Sequence, residues 1–543
     1  MKLIYDQEAH VLLQDLKFIN RWKELHNNCN YATAFQEPEF VCAWYEAYRD
    51  LWKPIILYRE SSREELTDLF LLAYYPATKS LVHAGGEQSE YHAWLSLPDE
   101  GVSFLSAAWD LLSSQFDFTS LRFRYLPQAE PLRETLSRLP NRSSIGLRRR
   151  PRPLMILNVD EIKASFAKKS NKSRFNRLKK LGKIEFNRVQ DLIELDRVFD
   201  DLIAFYDLRQ GAVNQIKPFQ QDPNKRKFHI DLFKRAQNKV YVTVTYLNEK
   251  PIAGFFGLAS KNRAHLGMIM HSPFLAEHSL GKLHLMQLSE LLLNENMGVL
   301  DLTPGSDPWK ERFANAHDEV IEAIIYRSPL AKIKGEMIYG LLNWFRQRAN
   351  QVGITTAKLK TILSVVRTFR PSMISGKIGK WFNADRTFHI YQIDRTFAER
   401  FHRDERIRCN ELDDLLLFEP RDAGQSESGF LSTALARLEK GEKVYTMKIN
   451  NRIVYSNWMA HNQSDKKPIA FPPDSISIYD FFIDLDFEKS GIFKTAIEHL
   501  ICDAFVDQTI QYAFVFVPTD RKQYSKIVEE MGFSFRNSFP ATR

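Results

Sequence analysis

Asp301 ends a short apolar run, and Lys310 follows it beyond a Pro-Gly loop, in the segment VLDLTPGSDPWKERF. A carboxylate and an ammonium placed this way could reach one cleft, the first as base or substrate-orienting group and the second holding an anionic group. A loop cap and a surface ion pair would give the same pattern. Upstream, Ser279, Leu280, Gly281 and Lys282 open the helix-periodic stretch LGKLHLMQLSELLLNENMG. The start of a helix exposes unpaired N–H groups and a partial positive charge, which suits a diphosphate. Ser279 can cap or donate, Gly281 lets the backbone approach a phosphate, and Lys282 adds counter-charge. An ordinary capped amphipathic helix has these features too. Among His265, His271 and His278, which flank the region, His271 closes the strand before that helix and is the candidate for proton transfer.

The elements that must position these groups can be read from periodicity. PLMILNV reads as a strand leading into SFAKKSNKSRFNRLKKLG, where Phe166, Phe175, Leu178 and Leu181 recur at near-helical spacing under a basic outer face, with Gly182 as C-cap. The helix LIELDRVFDDLIAFYDLRQ follows. Strands KVYVTVTYLN, PIAGFFGLAS and AHLGMIMHS then form a meander. Strand, helix and strand VLDLTP make a crossover unit, which implies a locally parallel pair.

At 543 residues the chain is too long for one core, and 44% hydrophobic residues with 39 Phe supply several. Residues 1–140 read as a first mixed unit. The charged, proline-bearing segment SSIGLRRRPRP reads as a crossing to a second unit at 150–330, followed by a basic helical connector at 331–384 and a last unit at 385–543. Cys29, Cys42, Cys409 and Cys502 are scattered without metal-ligand spacing, so no metal is expected and a reducing compartment fits. No run of 18 apolar residues occurs, and the N-terminus lacks a signal-peptide pattern, so a cytoplasmic location is expected. The net charge of +8 is uneven: residues 331–381 hold ten Lys or Arg against Glu336 alone. Mixed with apolar residues at helical spacing, this stretch suits peripheral contact with an anionic membrane, or helices packed on a domain. KKSNKSRFNRLKK could attract nucleic acid phosphates, but no base-reading motif accompanies it, so no specific nucleic acid partner is expected.

The middle and last units share one element order, and this order resembles the GNAT acyltransferase superfamily. The expected fold is therefore α/β, with tandem GNAT-like domains, each a mixed central sheet flanked by helices, the first being degenerate. The middle unit resembles the bacterial CelD-like, cellulose-biosynthesis-type acetyltransferases through KKSNKSRFNRLKKLG, KPIAGFFG, HSLGKLHLMQLSE and LDLTPGSDPWKERF, and FQEPEFVCAWYEAY and HAGGEQSEYHAWL look like that family's leading domain. Ser279, Leu280 and Gly281 stand for its Ser-Pro-Gly-like helix start. Asp301, Gly305, Trp309 and Lys310 stand for its closing block, with Leu280 replacing a proline and Trp309 a tyrosine. The resemblance implies acetyl-CoA or another acyl-CoA as co-substrate, direct attack on the thioester by an amine or hydroxyl, and a small-molecule, sugar or envelope-precursor acceptor.

The last unit resembles GNAT domains more loosely. Glu488, Gly491 and Phe493 occupy the places of its phosphate loop, where an acid would repel diphosphate and Phe493 would crowd the turn, and Val528 stands where many members carry a tyrosine. A structural or substrate-binding role is the expectation there. Two alternatives stay open for the whole chain: a Fem-type transferase using aminoacyl-tRNA, also a tandem GNAT arrangement, and an inactive scaffold of the same fold.

Overall fold

A computed structural model describes the chain except for residues 98–100, 128–131, 133–135, 137–143, 306, 352–386, 421–425, 463–470 and 541–543. It forms two compact units: Met1–Asp200 with Phe219–Met270 and Leu280–Thr356, and Asp201–Pro218 with His271–Ser279 and Ala357–Arg543. Both are α/β, with mixed or antiparallel sheets flanked by helices.

The first unit carries two sheets. Strands β1 (Lys2–Tyr5), β2 (Lys53–Glu60), β3 (Leu66–Tyr75) and β4 (Ser80–His83) pair antiparallel in sequence order, with β5 (Leu95–Ser96) on β3. The second sheet holds β6 (Ser120–Pro127), β7 (Ile145–Ile156), β8 (Ile184–Arg188), β9 (Val240–Leu247), β10 (Lys250–Ser260), β11 (Arg263–His271), β12 (Val299–Asp301) and β13 (Ala316–Tyr326), in the order β6-β13-β7-β12-β11-β10-β9-β8. Phe70 of β3 stacks on Phe123 of β6 with centroids 5.8 Å apart and Trp94 edge-on, so one aromatic core joins both sheets.

The meander β9-β10-β11 and the parallel β11-β12 crossover follow the sequence periodicity. Two local expectations fail. The arginine-rich segment read as a crossing is instead part of β7, paired antiparallel with β13 from Ile145 to Leu154. Its charge is compatible with a strand because Arg148, Arg150 and Arg152 meet Glu336, Glu322 and Asp318. The basic helix is two helices, Val159–Ala167 and Lys169–Lys179, because Lys168 adopts φ −56°, ψ 127° between them. Leu178 is buried while Leu181 is exposed, so the apolar periodicity runs out before Gly182.

The helix Leu280–Asn294 packs Leu285, Leu288 and Leu292 inward, beside Leu300 and Phe255. Each such side chain contributes roughly 1.5–3 kcal/mol by leaving water, which fixes the helix on the sheet. Of the basic connector, the helix Pro329–Gln351 is described and 352–386 lie outside the described residues.

In the second unit, β14 (Thr387–Asp394), β15 (Ile407–Cys409), β16 (Lys443–Ile449), β17 (Arg452–His461), β18 (Ser475–Ile483), β19 (Tyr512–Pro518) and β20 (Ser534–Pro540) form one sheet in the order β15-β16-β17-β18-β19-β14-β20. Helix Ile492–Ala504 connects the parallel strands β18 and β19 and buries Ile492, Phe493, Ile497, Leu500 and Ile501. Among the described residues of the chain, no helix is long and apolar enough to cross a membrane.

Candidate active site

In the first unit, β11 and β12 are paired in parallel only from Arg263↔Val299 to His265↔Asp301. Beyond that point β12 ends while β11 continues, and the chain leaves β12 through Leu302, Thr303, Pro304 and Gly305. Asp301 stands at the vertex. It is 0% exposed, and its carboxylate accepts from Tyr91 Oη at 2.8 and 2.9 Å, from Arg152 Nη1 at 3.2 Å, from Arg263 Nη1 at 3.4 Å and from the Thr303 amide at 2.9 Å. His265 Nδ1 lies 3.5 Å away. Burial alone would raise its pKa, but the neighbouring His265, the Arg152 guanidinium and the Thr303 amide together hold this carboxyl well below the usual carboxylate range. Tyr91 is pushed well above its ordinary value, by burial first and then by the neighbouring Asp301.

The loop after Asp301 carries strain. Thr303 has φ +59°, a left-handed conformation that a β-branched residue adopts only when its surroundings impose it. They do: its amide donates to Asp301, and the Lys310 ammonium donates to its carbonyl at 3.2 Å and its hydroxyl at 3.1 Å. Lys310 Nζ also lies 3.6 Å from Asp307. The ammonium is itself buried, which lowers its pKa despite the opposing pull of Asp307. A Cβ on Gly305 would come within 3.2 Å of Lys310 Nζ, so glycine lets the loop close over the ammonium. The structure thus brings Asp301 and Lys310 into one polar network, with Lys310 directed at the protein's own loop.

The helix start has a different character. Ser279 adopts φ 55°, ψ 51° and donates its amide to the Ala276 carbonyl, so the helix begins at Leu280. Leu280 is buried, whereas Gly281 and Lys282 are half-buried. The Lys282 ammonium is held below its ordinary value, first by burial and then by repulsion from Arg174, Lys168 and Arg312. None of these four cations makes an ion pair with a carboxylate among the described residues. Lys168 and Arg174 come from the basic helices and Arg312 from the loop after Lys310, so three separate segments direct positive charge at one helix start. Four uncompensated cations beside exposed helix N–H groups repel one another, and a bound polyanion would relieve that repulsion.

His271 belongs to the second unit. Burial, with the Arg209 charge adding to it, brings its pKa down to about 4, so the ring is neutral at pH 7. Its Nδ1 makes no hydrogen bond among the described residues.

Tyr91, Arg152, Arg263 and Thr303 were not singled out from the sequence. Tyr91 lies 210 positions from Asp301, and Arg152 sits in a segment whose composition reads as a linker. Their only sequence signal is Tyr91's place in the leading block HAGGEQSEYHAWL.

In the second unit, Val528 is fully buried and Tyr524, one helical turn earlier, borders a cavity. Phe493, expected to crowd the phosphate turn, packs inward against Tyr524 at 4.4 Å between centroids, and a Cβ on Gly491 would meet nothing within 4 Å. Glu488 pairs with Arg521.

Comparison with known proteins places a family on part of the chain. Residues 165–311 match the family described as acetyltransferase (GNAT) domain. Similar solved structures include FemX (TM-score 0.41, 10% identity, covering 61% of this chain and 99% of that one) and L-PGS from Bacillus licheniformis (0.36, 10%, 60% and 97%). Another is an acetyltransferase from the GNAT family of Colwellia psychrerythraea (0.32, 12%, 60% and 100%). No protein of curated function matches the chain significantly. The matched segment contains the basic helix Lys169–Lys179, strands β11 and β12, the Leu280 helix and the Asp301–Lys310 loop, and on that ground the chain carries a GNAT-type acetyltransferase domain and is an acyltransferase.

Proposed function

We infer that the first unit transfers an acyl group from acetyl-CoA or a related acyl-CoA to an amine or hydroxyl of a small molecule, in the manner of the CelD-like enzymes whose acceptors are sugars or envelope precursors. The observation that carries this reading is the convergence of Lys168, Arg174, Lys282 and Arg312 on the first turn of the Leu280 helix without a neutralising carboxylate. Backbone amides near Leu280, Gly281 and Lys282 would hold the diphosphate, with Ser279 turning the chain into the helix. The free edge of β11 beyond His265 would receive the amide-bearing arm of the cofactor, as an added strand does. Bound acyl-CoA supplies an activated thioester, so the protein needs no nucleophile of its own.

Asp301 is saturated by five neighbours and acts as an orienting group that fixes the vertex and Arg152. Lys310 holds the strained Thr303 loop. His271, the proton-transfer candidate of the sequence, falls in the second unit, so a proton leaving the acceptor in the first unit would be taken by solvent.

The deciding experiment is calorimetric titration of the full chain with acetyl-CoA. Saturable binding that weakens in Lys282→Ala supports the reading. Absence of binding, together with activity that ribonuclease destroys, would instead establish an aminoacyl-tRNA donor of the Fem type.

One surface bears on where the acceptor is met. Leu330, Ile333 and Met337 of the helix Pro329–Gln351 are 78%, 64% and 67% exposed and share one face at helical spacing, within a strongly basic stretch. This supports peripheral contact with an anionic membrane. Sedimentation with phosphatidylglycerol vesicles, lost in Ile333→Glu and absent with phosphatidylcholine alone, would support it.

A further inference from the structure

The second unit repeats the diverging-strand geometry with opposite electrostatics. β18 and β19 are parallel partners only from Ser475↔Tyr512 to Ile478↔Val515. Beyond Ile478 they separate, and a cavity of about 480 Å³ occupies the divergence, bounded by β18, the helix Glu427–Leu438 and the turn before the helix Lys522–Glu530.

The lining argues against an anion. Among the described residues, four carboxylates border the cavity, Asp480, Asp484, Glu488 and Asp520, against the single cation Arg521. Arg521 is bonded to Glu488, Asp480 to Arg437 at 2.7 Å, and Asp484 to Arg452 behind the wall. Asp520, exposed at the mouth, makes no ion pair among the described residues, so the rim keeps a negative charge after every pairing is counted. The rest of the wall is aromatic, with Phe418, Phe430, Trp458, Phe481 and Phe482. Tyr524 adds an independent sign of a missing partner. It borders the cavity at 2% exposure, and its hydroxyl forms no hydrogen bond among the described residues. A buried hydroxyl without a partner costs stability that a ligand donor could restore.

Ring faces attract cations, carboxylates attract them further, and both disfavour phosphate or carboxylate ligands. We propose that the cavity between β18 and β19 is a binding site for a small molecule that joins a protonated amine to an apolar body. The amine sits among Asp480, Glu488 and Asp520 with the Tyr524 oxygen as acceptor, and the apolar part lies against Phe418, Phe430 and Trp458. The claim is independent of the acyl-CoA reading of the first unit.

The test uses two probes of nearly equal shape and opposite charge, 2-phenylethylamine and 3-phenylpropionate, titrated calorimetrically into the full chain. The amine should bind and the acid should not. Asp520→Asn, at an exposed position, should weaken the amine about tenfold. Thr433→Lys, which adds a cation on the exposed rim of the Glu427 helix, should weaken it at least as much without touching the core. The proposal fails if the two probes bind alike, if the amine gives no heat at millimolar concentration, or if both variants bind it as the parent does. It fails equally if acetyl-CoA competes with the amine.

Discussion

The chain contains two pairs of parallel strands whose pairing stops while at least one strand runs on, and the charge nearby is reversed. Between β11 and β12 the closed end is polar, built on Asp301 with Arg152, Arg263, His265 and Tyr91. The start of the helix that connects them gathers Lys168, Arg174, Lys282 and Arg312. Between β18 and β19 the closed end is apolar, with Ile478 opposite Val515, and the mouth holds four carboxylates and aromatic rings. Strand divergence makes a slot, while the residues at its rim decide the sign of what enters it.

The largest effect that would sharpen this contrast is at the closed ends. Asp301→Ala leaves the buried Tyr91 hydroxyl without its acceptor and takes from buried Arg152 one of its two carboxylates, Asp318 remaining, and should cost about 3–5 kcal/mol, whereas Ile478→Val should cost about 1 kcal/mol. Equal shifts in thermal unfolding would show that the polar vertex is not special. Next is the mouth: Lys282→Ala should raise KM for acetyl-CoA about tenfold with kcat nearly unchanged, and Glu488→Gln should leave both alone. A matching rise in the Glu488 variant would break the assignment of the cofactor to the first slot.

A pH effect comes third. In the first unit, burial followed by the Lys225 charge lowers His229 to about 3, and burial lowers His92 to about 4. Because their folded values lie below the unfolded value near 6.5, both contribute stability that is full above about pH 6.5 and is lost as the pH falls towards 4 and then 3. Asp301, whose folded value is also depressed, contributes above its unfolded value near 3.9, and that part is lost only at lower pH. Denaturant midpoints recorded between pH 7 and 4 should therefore fall, and His229→Gln should flatten the decline. The smallest effect concerns the turns. Ser279 at φ 55° and Gly491 at φ 80° each precede their helix in the left-handed region. Ser279→Gly should stabilise by roughly 0.5 kcal/mol and Gly491→Ser should destabilise by about as much, read from chemical unfolding.

Much of the fold was legible because its signals are local. The meander, the Leu280 helix and the parallel crossover follow from runs of one period ended by turn residues. The cationic mouth was half legible, since Lys282 and the basic helices each show in the sequence but their meeting depends on a break at Lys168 that no proline or glycine marks. The polar vertex was not legible. Asp301 and Lys310 stand out within one segment, yet what saturates the carboxylate arrives from Tyr91 and Arg152, far away in the chain. An arginine-rich strand is unreadable by hydrophobic alternation, because in β7 carboxylates from β13 and from the helix after it compensate the charge. In the second unit Val528 drew notice from a motif position, while Tyr524 reaches the cavity from one turn earlier.

The bond from Tyr91 to Asp301 limits how the enzyme can be dissected. A fragment cut to 165–311 would lose both that phenol and Arg152, leaving Asp301 with two of its donors gone. Such a fragment should aggregate or unfold, so the leading region serves as an inseparable wall of the catalytic domain and any minimal active form must begin upstream of residue 91.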